Sequence, residues 1–403
     1  MYRAVCTLFL ACVVLSSTLA TDPPGHLQPL GSHRPAEGEV DAVSKPPSPH
    51  EFFNNYVIPG KPLLFKGAAK ALPAYKLWTD EYLSSKFGDL RMEVEEGKKE
   101  NRSWGTFNFK LKEFINKYKK EDIYMVESLQ KPMREDYMLL HSLACGGFTN
   151  VLQDAVMWFS SGGTKSVLHY DSLENINCLF SGNKNFVMID KKYMNMTHID
   201  RKDGSFSNVD VERVDMQKYP GLGKVPWMNA SMEEGDCMYI PWRWVHQVQS
   251  FGPRNLAVNI WWARFTQFNQ TDCDTSIYKD KDLVPLSAFE LKPNEVVRQE
   301  FLEKTGRKPL TKEIWLKALR EQAEEVYATL ADTEILLQNF AEVDADKDGL
   351  VTPEEMMSLH SRDLERLLGG TVQEGRDAED GGGDDEEEAT DKKVDPDAFK
   401  DEL

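Results

Sequence analysis

Between residues 150 and 265 the chain is a succession of short apolar runs, each closed by turn residues. Val151 to Ser160, Asn175 to Phe180, Asn185 to Asp190, Asp236 to Pro241 and Leu256 to Trp262 are rich in Val, Ile, Phe, Tyr and Trp, with Gly, Asn, Asp and Pro between them. β-Branched and aromatic side chains suit a pleated surface, and many short strands at fairly even spacing predict a sandwich or barrel rather than a bundle. Residues 50–145 mix helical periods with short strands, and helices are expected at Trp78 to Phe87 and Lys112 to Tyr118. From about 287 to 367 the period turns helical, as in Glu313 to Leu330. The expected class is mainly β with flanking helices, followed by a helical module. No internal repeat is visible.

One cluster of residue types in the β region carries chemistry. His169-Tyr170-Asp171 falls at the start of an expected strand, where side chains two apart share a face. His246 follows Pro241-Trp242-Arg243-Trp244-Val245 near another strand. Two imidazoles and a carboxylate on one side of an ion leave its other positions open, which suits non-haem Fe(II). The same residues also fit a capped strand end and a core imidazole, so spacing alone leaves both readings open.

The flanking residues narrow the choice. Gly162 through Asp171, then Asn175, then Ser181-Gly182-Asn183-Lys184-Asn185-Phe186, resemble the JmjC family in its small hydroxylase-like branch. Gly235 through Pro241 and Trp244 through Val248 resemble that family's second iron-ligand segment, and Asn259-Ile260-Trp261-Trp262 its closing strand. Glu51-Phe52-Phe53, Pro62 through Gly67 and Trp78 through Asp89 are similar to its N-terminal half. The resemblance spans residues 49–266. It implies a double-stranded β-helix (jelly-roll, cupin) core and an Fe(II)/2-oxoglutarate-dependent dioxygenase. His169, Asp171 and His246 match the iron ligands. Lys184 matches the cation that pairs with the distal carboxylate of 2-oxoglutarate, Ser166 stands where the family usually has a Thr beside it, and Asn175 and Asn259 match positions near cosubstrate or metal. The implied reaction is hydroxylation of a side chain. Members that demethylate histones are nuclear, which disfavours that activity in a chain with the terminal signals described below.

A second motif lies in the helical region. Asp344-Ala345-Asp346-Lys347-Asp348-Gly349-Leu350-Val351-Thr352-Pro353-Glu354-Glu355 fits D-x-D-x-D-G-x5-E throughout. Asp344, Asp346 and Asp348 occupy loop positions 1, 3 and 5, Leu350 offers its carbonyl, Thr352 stands at position 9 and Glu355 at position 12. Periodic segments flank it at Glu334 to Phe340 and Glu354 to Leu368. This resembles an EF-hand at residues 344–355, within a helical region 287–368, and implies Ca2+. Such loops usually pair, so a degenerate partner is expected in residues 287–330 or on a second chain.

The two ends point to a compartment. Residues 1–20 have Arg3, an apolar run and small residues up to Ala20, and read as a secretory signal peptide. An uncleaved anchor is the other reading, but the run is short of the about 20 residues that a spanning helix needs. Residues 21–48 read as a flexible leader rich in Pro, Gly and Ser. Residues 369–403 read as an acidic, disordered tail ending in Lys400-Asp401-Glu402-Leu403, a retrieval address for the endoplasmic-reticulum lumen. Sequons at Asn101, Asn195, Asn229 and Asn269 agree with that route. Cys145, Cys178, Cys237 and Cys273 would remain after cleavage, with three pairings open. The expected partners are a secretory or lumenal protein substrate and a KDEL-type retrieval receptor, with no stable membrane insertion. The net charge of −18 argues against nucleic acid. Residues 371–403 hold fourteen acids against four bases, a net of −10, so the body of the chain is much closer to neutral. A non-catalytic calcium-binding chaperone or scaffold on an inactive barrel is the alternative from another functional class.

Overall fold

The computed structural model describes residues 22–98, 106–199, 205–275, 284–325 and 332–369. The expected signal peptide, the sequon at Asn101, and residues 370–403 with their terminal K-D-E-L lie outside the described residues. The strands are β1 (Asp41–Val43), β2 (Leu63–Phe65), β3 (Arg91–Glu96), β4 (Thr106–Lys110), β5 (Ile123–Ser128), β6 (Met138–Leu139), β7 (Leu152–Ser160), β8 (Glu174–Ile189), β9 (Met228–Met232), β10 (Cys237–Ile240), β11 (Val245–Trp262) and β12 (Val284–Pro285). One large mixed sheet runs β1-β2-β10-β8-β11-β7-β5-β3-β4, with β9 paired to β8, while β6 and β12 pair separately. A large mixed sheet with flanking helices is consistent with a jelly-roll core.

Two expected runs, Asn175 to Phe180 and Asn185 to Asp190, are one strand. β8 continues through the expected turn because Gly182 bends it without ending it, at φ 84°. β11 bends opposite at Gly252, φ 101°, and skips register between Phe251 and Leu256. Asn255 Nδ2 fastens the bend by donating to the carbonyls of Asn183 (2.9 Å) and Phe251 (3.1 Å).

The strands divide their side chains by alternation. On β10, Cys237 and Tyr239 join a core with Phe52, Phe65, Phe148 and Trp262, while Met238 and Ile240 face the opposite cluster with Leu179, Phe186 and Ala257. Helices cover the first face: Phe52, at the end of Pro49–Phe52, meets the Tyr239 ring edge-on at 5.0 Å. Of the three possible pairings, the structure has Cys145–Cys273 and Cys178–Cys237. Cys178 and Cys237 are register partners on β8 and β10, so the second bridge crosses the sheet.

Residues 22–48, expected as a flexible leader, lie against the barrel instead. Leu30 and Val40 are buried, the His33 ring bonds the Val225 carbonyl (2.9 Å), and β1 pairs with β2. The Pro and Gly content made turns there, but the interspersed apolar residues found a surface to cover.

The helices Glu295–Lys304, Lys312–Glu325, Thr333–Val343 and Pro353–Ser358 build a separate core around Phe301, Trp315, Leu336 and Phe340. Leu310 and Val351 exchange backbone hydrogen bonds of 2.9 Å in both directions, joining the two interhelical loops. The acidic loop is therefore bridged to residue 310 of the same chain. The periodic segment Glu354 to Leu368 is broken, because Arg298 takes the carbonyls of Met357 (2.8 Å) and Leu359 (2.9 Å) and the chain restarts as a helix at Leu364–Gly369. No helix among the described residues is long and apolar enough to cross a membrane.

A methyl group at Gly182 would lie 2.5 Å from the Arg254 carbonyl at a φ that disfavours any side chain. Gly182→Ala should cost about 2–3 kcal/mol in urea unfolding. A loss under about 0.5 kcal/mol, the range of an ordinary surface substitution, would remove the bend from the account.

Candidate functional site

His169 is not in a strand. It sits in an extended segment before β8, bridged to Phe206 on one side and to His246 on the other. The two histidines exchange backbone hydrogen bonds, 3.0 Å from His169 N–H and 2.7 Å from His246 N–H. Their ring centroids are 4.3 Å apart. Because the segment is extended, Asp171 still returns to the same face. Its carboxylate oxygens lie 4.0 Å from His169 Nε2 and 3.7 Å from His246 Nε2.

Local bonding sets both rings for ligation. Nδ1 of His169 is 2.9 Å from the Val167 carbonyl and Nδ1 of His246 is 2.9 Å from the Trp244 carbonyl. A carbonyl only accepts, so each Nδ1 carries the proton and each Nε2 presents a lone pair. Burial, then the neighbouring His169, pushes His246 down to about 4, so its ring is neutral at pH 7. The donor atoms of His169, Asp171 and His246 all lie within 4.8 Å of one another, and the set suits one divalent ion.

A chain of amides orients the carboxylate. Asn175 Nδ2 donates to Asp171 Oδ2 (3.2 Å), Asn259 Nδ2 donates to Asn175 Oδ1 (2.6 Å), and Asn177 Nδ2 donates to Asn259 Oδ1. Asn175 and Asn259 thus act on Asp171 from behind.

Lys184 closes the other end of the cavity. It is 4% exposed, and its Nζ donates to Ser250 Oγ at 2.9 Å. Among the described residues no carboxylate lies within 4 Å of it. Burial pushes its ammonium down to about 8. Ser166 Oγ accepts from the Val248 N–H (2.9 Å), which leaves its hydroxyl proton to donate. The cavity between lysine and histidines is about 210 Å³ and is walled by Tyr124, Trp158, Phe186 and Trp261 among others.

The structure thus brings together all seven residues expected from sequence. Asn177 and Ser250 were missed, though alternation reaches both: one is two residues after Asn175, the other four after His246. Tyr124 and Trp158 come from β5 and β7 and have no local signal.

The acidic loop is a second cluster. The carboxylates of Asp344, Asp346 and Asp348 converge, also within 4.8 Å. Asp344 is 6% exposed, its Oδ2 accepts from Gly349 N–H (3.0 Å), and its Oδ1 has no partner. Leu350 N–H donates to Asp348 Oδ1 (2.8 Å). Glu355 folds back over the loop, accepting from Ala345 N–H and from Thr352 N–H and hydroxyl, each at 2.8 Å.

The cupin-like domain family matches residues 49–268. Lysine-specific demethylase 8 of Xenopus tropicalis is 26% identical over 236 residues, 54% of this chain and 51% of that protein. The human bifunctional peptidase and (3S)-lysyl hydroxylase JMJD7 is 23% identical over 269 residues, 55% of this chain and 84% of that protein. Human tRNA wybutosine-synthesizing protein 5 is 25% identical over 281 residues, 62% of this chain and 84% of that protein. The chain spans about half the length of the Xenopus demethylase and of the lysine-specific demethylase JMJ30 of Arabidopsis thaliana. These names cover demethylation, hydroxylation and RNA modification, so the likeness carries the fold and leaves the substrate open.

Lys184 should titrate near 8 in the free protein, read by NMR of a labelled ε-carbon. A bound dicarboxylate favours the ammonium and should raise that midpoint. The sign follows: between about pH 6, where the carboxylates are ionised, and pH 8 the dicarboxylate affinity is nearly flat, and it falls as pH rises above 8. An unmoved midpoint would mean that no carboxylate reaches the lysine.

Proposed function

This chain belongs to the cupin-like domain family and is similar to its JmjC members, and from that premise we propose an Fe(II)- and 2-oxoglutarate-dependent dioxygenase that hydroxylates a side chain of a secretory or lumenal protein. The observation that carries this reading is a single cavity with three converging ligand atoms at one end and a buried lysine without a carboxylate partner at the other.

His169, Asp171 and His246 would hold the iron. Bound there with 2-oxoglutarate, it would supply the activation of dioxygen for insertion of one oxygen atom into a C–H bond. The chain's own residues do the placing. Lys184, helped by the hydroxyls of Ser250 and Ser166, would pair with the distal carboxylate, which repays the burial of the ammonium. Asn175 keeps Asp171 turned toward the histidines, and a wrong orientation would weaken the metal. Trp158, Phe186, Ile240 and Trp261 exclude bulk water from the reacting end.

The lumenal setting is supported by the expected signal peptide and K-D-E-L, which would engage a retrieval receptor. It is also supported by the pairing of Cys145, Cys178, Cys237 and Cys273 into two bridges, since disulfides persist in oxidising compartments. The loop 344–355 would bind Ca2+ through Asp344, Asp346, Asp348, the Leu350 carbonyl, Thr352 (often through water at that position) and Glu355. The unpartnered Asp344 Oδ1 supports that reading. Lumenal calcium is high, so an affinity of about 10⁻⁴–10⁻³ M suffices.

Purified protein with Fe(II), ascorbate and 2-oxoglutarate should release succinate, and His169→Ala should lower the rate by at least about 100-fold. Equal rates would leave the non-catalytic scaffold as the reading. Calorimetry should show Ca2+ binding that Glu355→Gln weakens, and unchanged binding would rule out this loop.

A further inference from the structure

Beside the carboxylate ligand, three cations gather on one indole. Lys191 Nζ lies 4.6 Å from the Trp242 ring centroid, the Arg243 guanidinium carbon 4.5 Å and the Arg264 guanidinium carbon 4.9 Å. They come from three parts of the chain: the segment after β8, the turn before β11 and the residue two past its end. Cation–π attraction contributes only about 0.5–2 kcal/mol at each contact, and the cations repel one another.

The carboxylates nearby do not cancel this charge. Glu174 lies beneath, fully buried and already held by the Tyr239 hydroxyl (2.7 Å) and the Trp242 N–H (2.8 Å). Arg264 Nη1 is 3.5 Å from its Oε1, without a hydrogen bond. Asp190 is engaged by Lys192 at 3.0 Å. Among the described residues neither Lys191 nor Arg243 has a carboxylate within 4 Å, and Arg243 Nε is buried without a partner. Three cations over one carboxylate leave a surplus of two. Burial, then Arg264, holds the Lys191 ammonium below its ordinary range, which is the cost of that crowding.

The backbone adds to it. Arg243 sits at φ 61°, a left-handed conformation that disfavours arginine, and its N–H donates to the Asp171 carbonyl (3.0 Å). Trp242 is tied to Glu174, whose neighbour Asn175 orients Asp171. The platform and the ligand carboxylate are therefore joined by backbone N–H hydrogen bonds, one to the Asp171 carbonyl and one to Glu174. A groove of about 460 Å³ opens on it, lined by Lys191, Lys192, Met194, Ile199, Trp242 and Arg243 and rimmed by the sequon residue Asn195.

We propose that this Trp242-centred groove is a docking site for an acidic segment of the protein substrate, with carboxylates seated on Lys191 and Arg243 and apolar side chains on Met194 and Ile199. The proposal rests on the oxygenase reading for the word substrate, and on geometry alone for the acidic peptide. A platform one indole wide, in a chain of net charge −18, suits a few carboxylates better than the extended phosphate backbone of a nucleic acid.

The test uses the full chain carrying Asn195→Gln, so that no glycan covers the groove, without iron or 2-oxoglutarate. A fluorescent ten-residue peptide of Glu, Asp and Leu is titrated by anisotropy, beside a Lys and Leu peptide and a single-stranded RNA of ten nucleotides. The acidic peptide should bind, more weakly as salt rises, and Lys191→Glu should weaken it at least tenfold. Lys117→Glu, a charge reversal at an exposed lysine that does not line the groove and is already paired to Glu121, should change it less than threefold. Equal binding in Lys191→Glu, no preference over the basic peptide, or tighter binding of the RNA would overturn the proposal. Because metal and cosubstrate are absent, failure of the oxygenase reading would leave this result intact, and the converse also holds.

Discussion

The long antiparallel pairing of β8 with β11 is the constraint on which the site depends. It runs from Val245 opposite Ile189 to Trp262 opposite Glu174, through two glycine bends. This pairing, with its register shifted only at the bend between Phe251 and Ala257, places Asn175, Asn177, Lys184 and Phe186 from one strand, and His246, Val248, Ser250 and Asn259 from the other, around one cavity. A slip of one residue would turn the set away from the cavity. The Asn255 amide holds that register at the bend, while the disulfide from Cys178 to Cys237 ties β8 to its other neighbour, β10.

Much of this was legible in the chain. Alternating apolar runs gave the β class, and His169, Asp171 and His246 converge although His169 lies outside any strand, because an extended segment has the same two-residue repeat. Lys184 reads locally as a turn lysine, since Gly182-Asn183-Lys184-Asn185 is turn-like. What buries it is the partner strand, a long-range fact that only the wider resemblance signalled. Residues 22–48 were misjudged for a related reason: composition described their turns, while Leu30 and Val40 found partners near residues 211–240. Tyr124 and Trp158 were invisible because nothing local marks which strands will flank the cavity.

The site is built of buried polar groups, and nearly all are satisfied by one another. Asn177, Asn259 and Asn175 form a chain of amides that ends on the Asp171 carboxylate, and both imidazoles are fixed by backbone carbonyls. The exceptions are Asn177 Oδ1, Trp158 Nε1 and Trp261 Nε1, which have no partner, and Lys184, with a single hydroxyl for an ammonium. An uncompensated buried charge is expensive, so its place opposite the ligands makes sense when a carboxylate arrives. Asp344, with a buried oxygen left unpartnered, has the same logic in the helical module.

The central claim is that one cavity holds iron at the histidines and a 2-oxo dicarboxylate at the lysine. Anaerobic titration of Fe(II) into the protein with 2-oxoglutarate tests it directly, by the visible charge-transfer absorption of a 2-oxo acid chelated to ferrous iron. The account predicts that the band appears only when both are present and saturates at one iron per chain. A protein that binds neither, or that binds iron without developing the band, would contradict it.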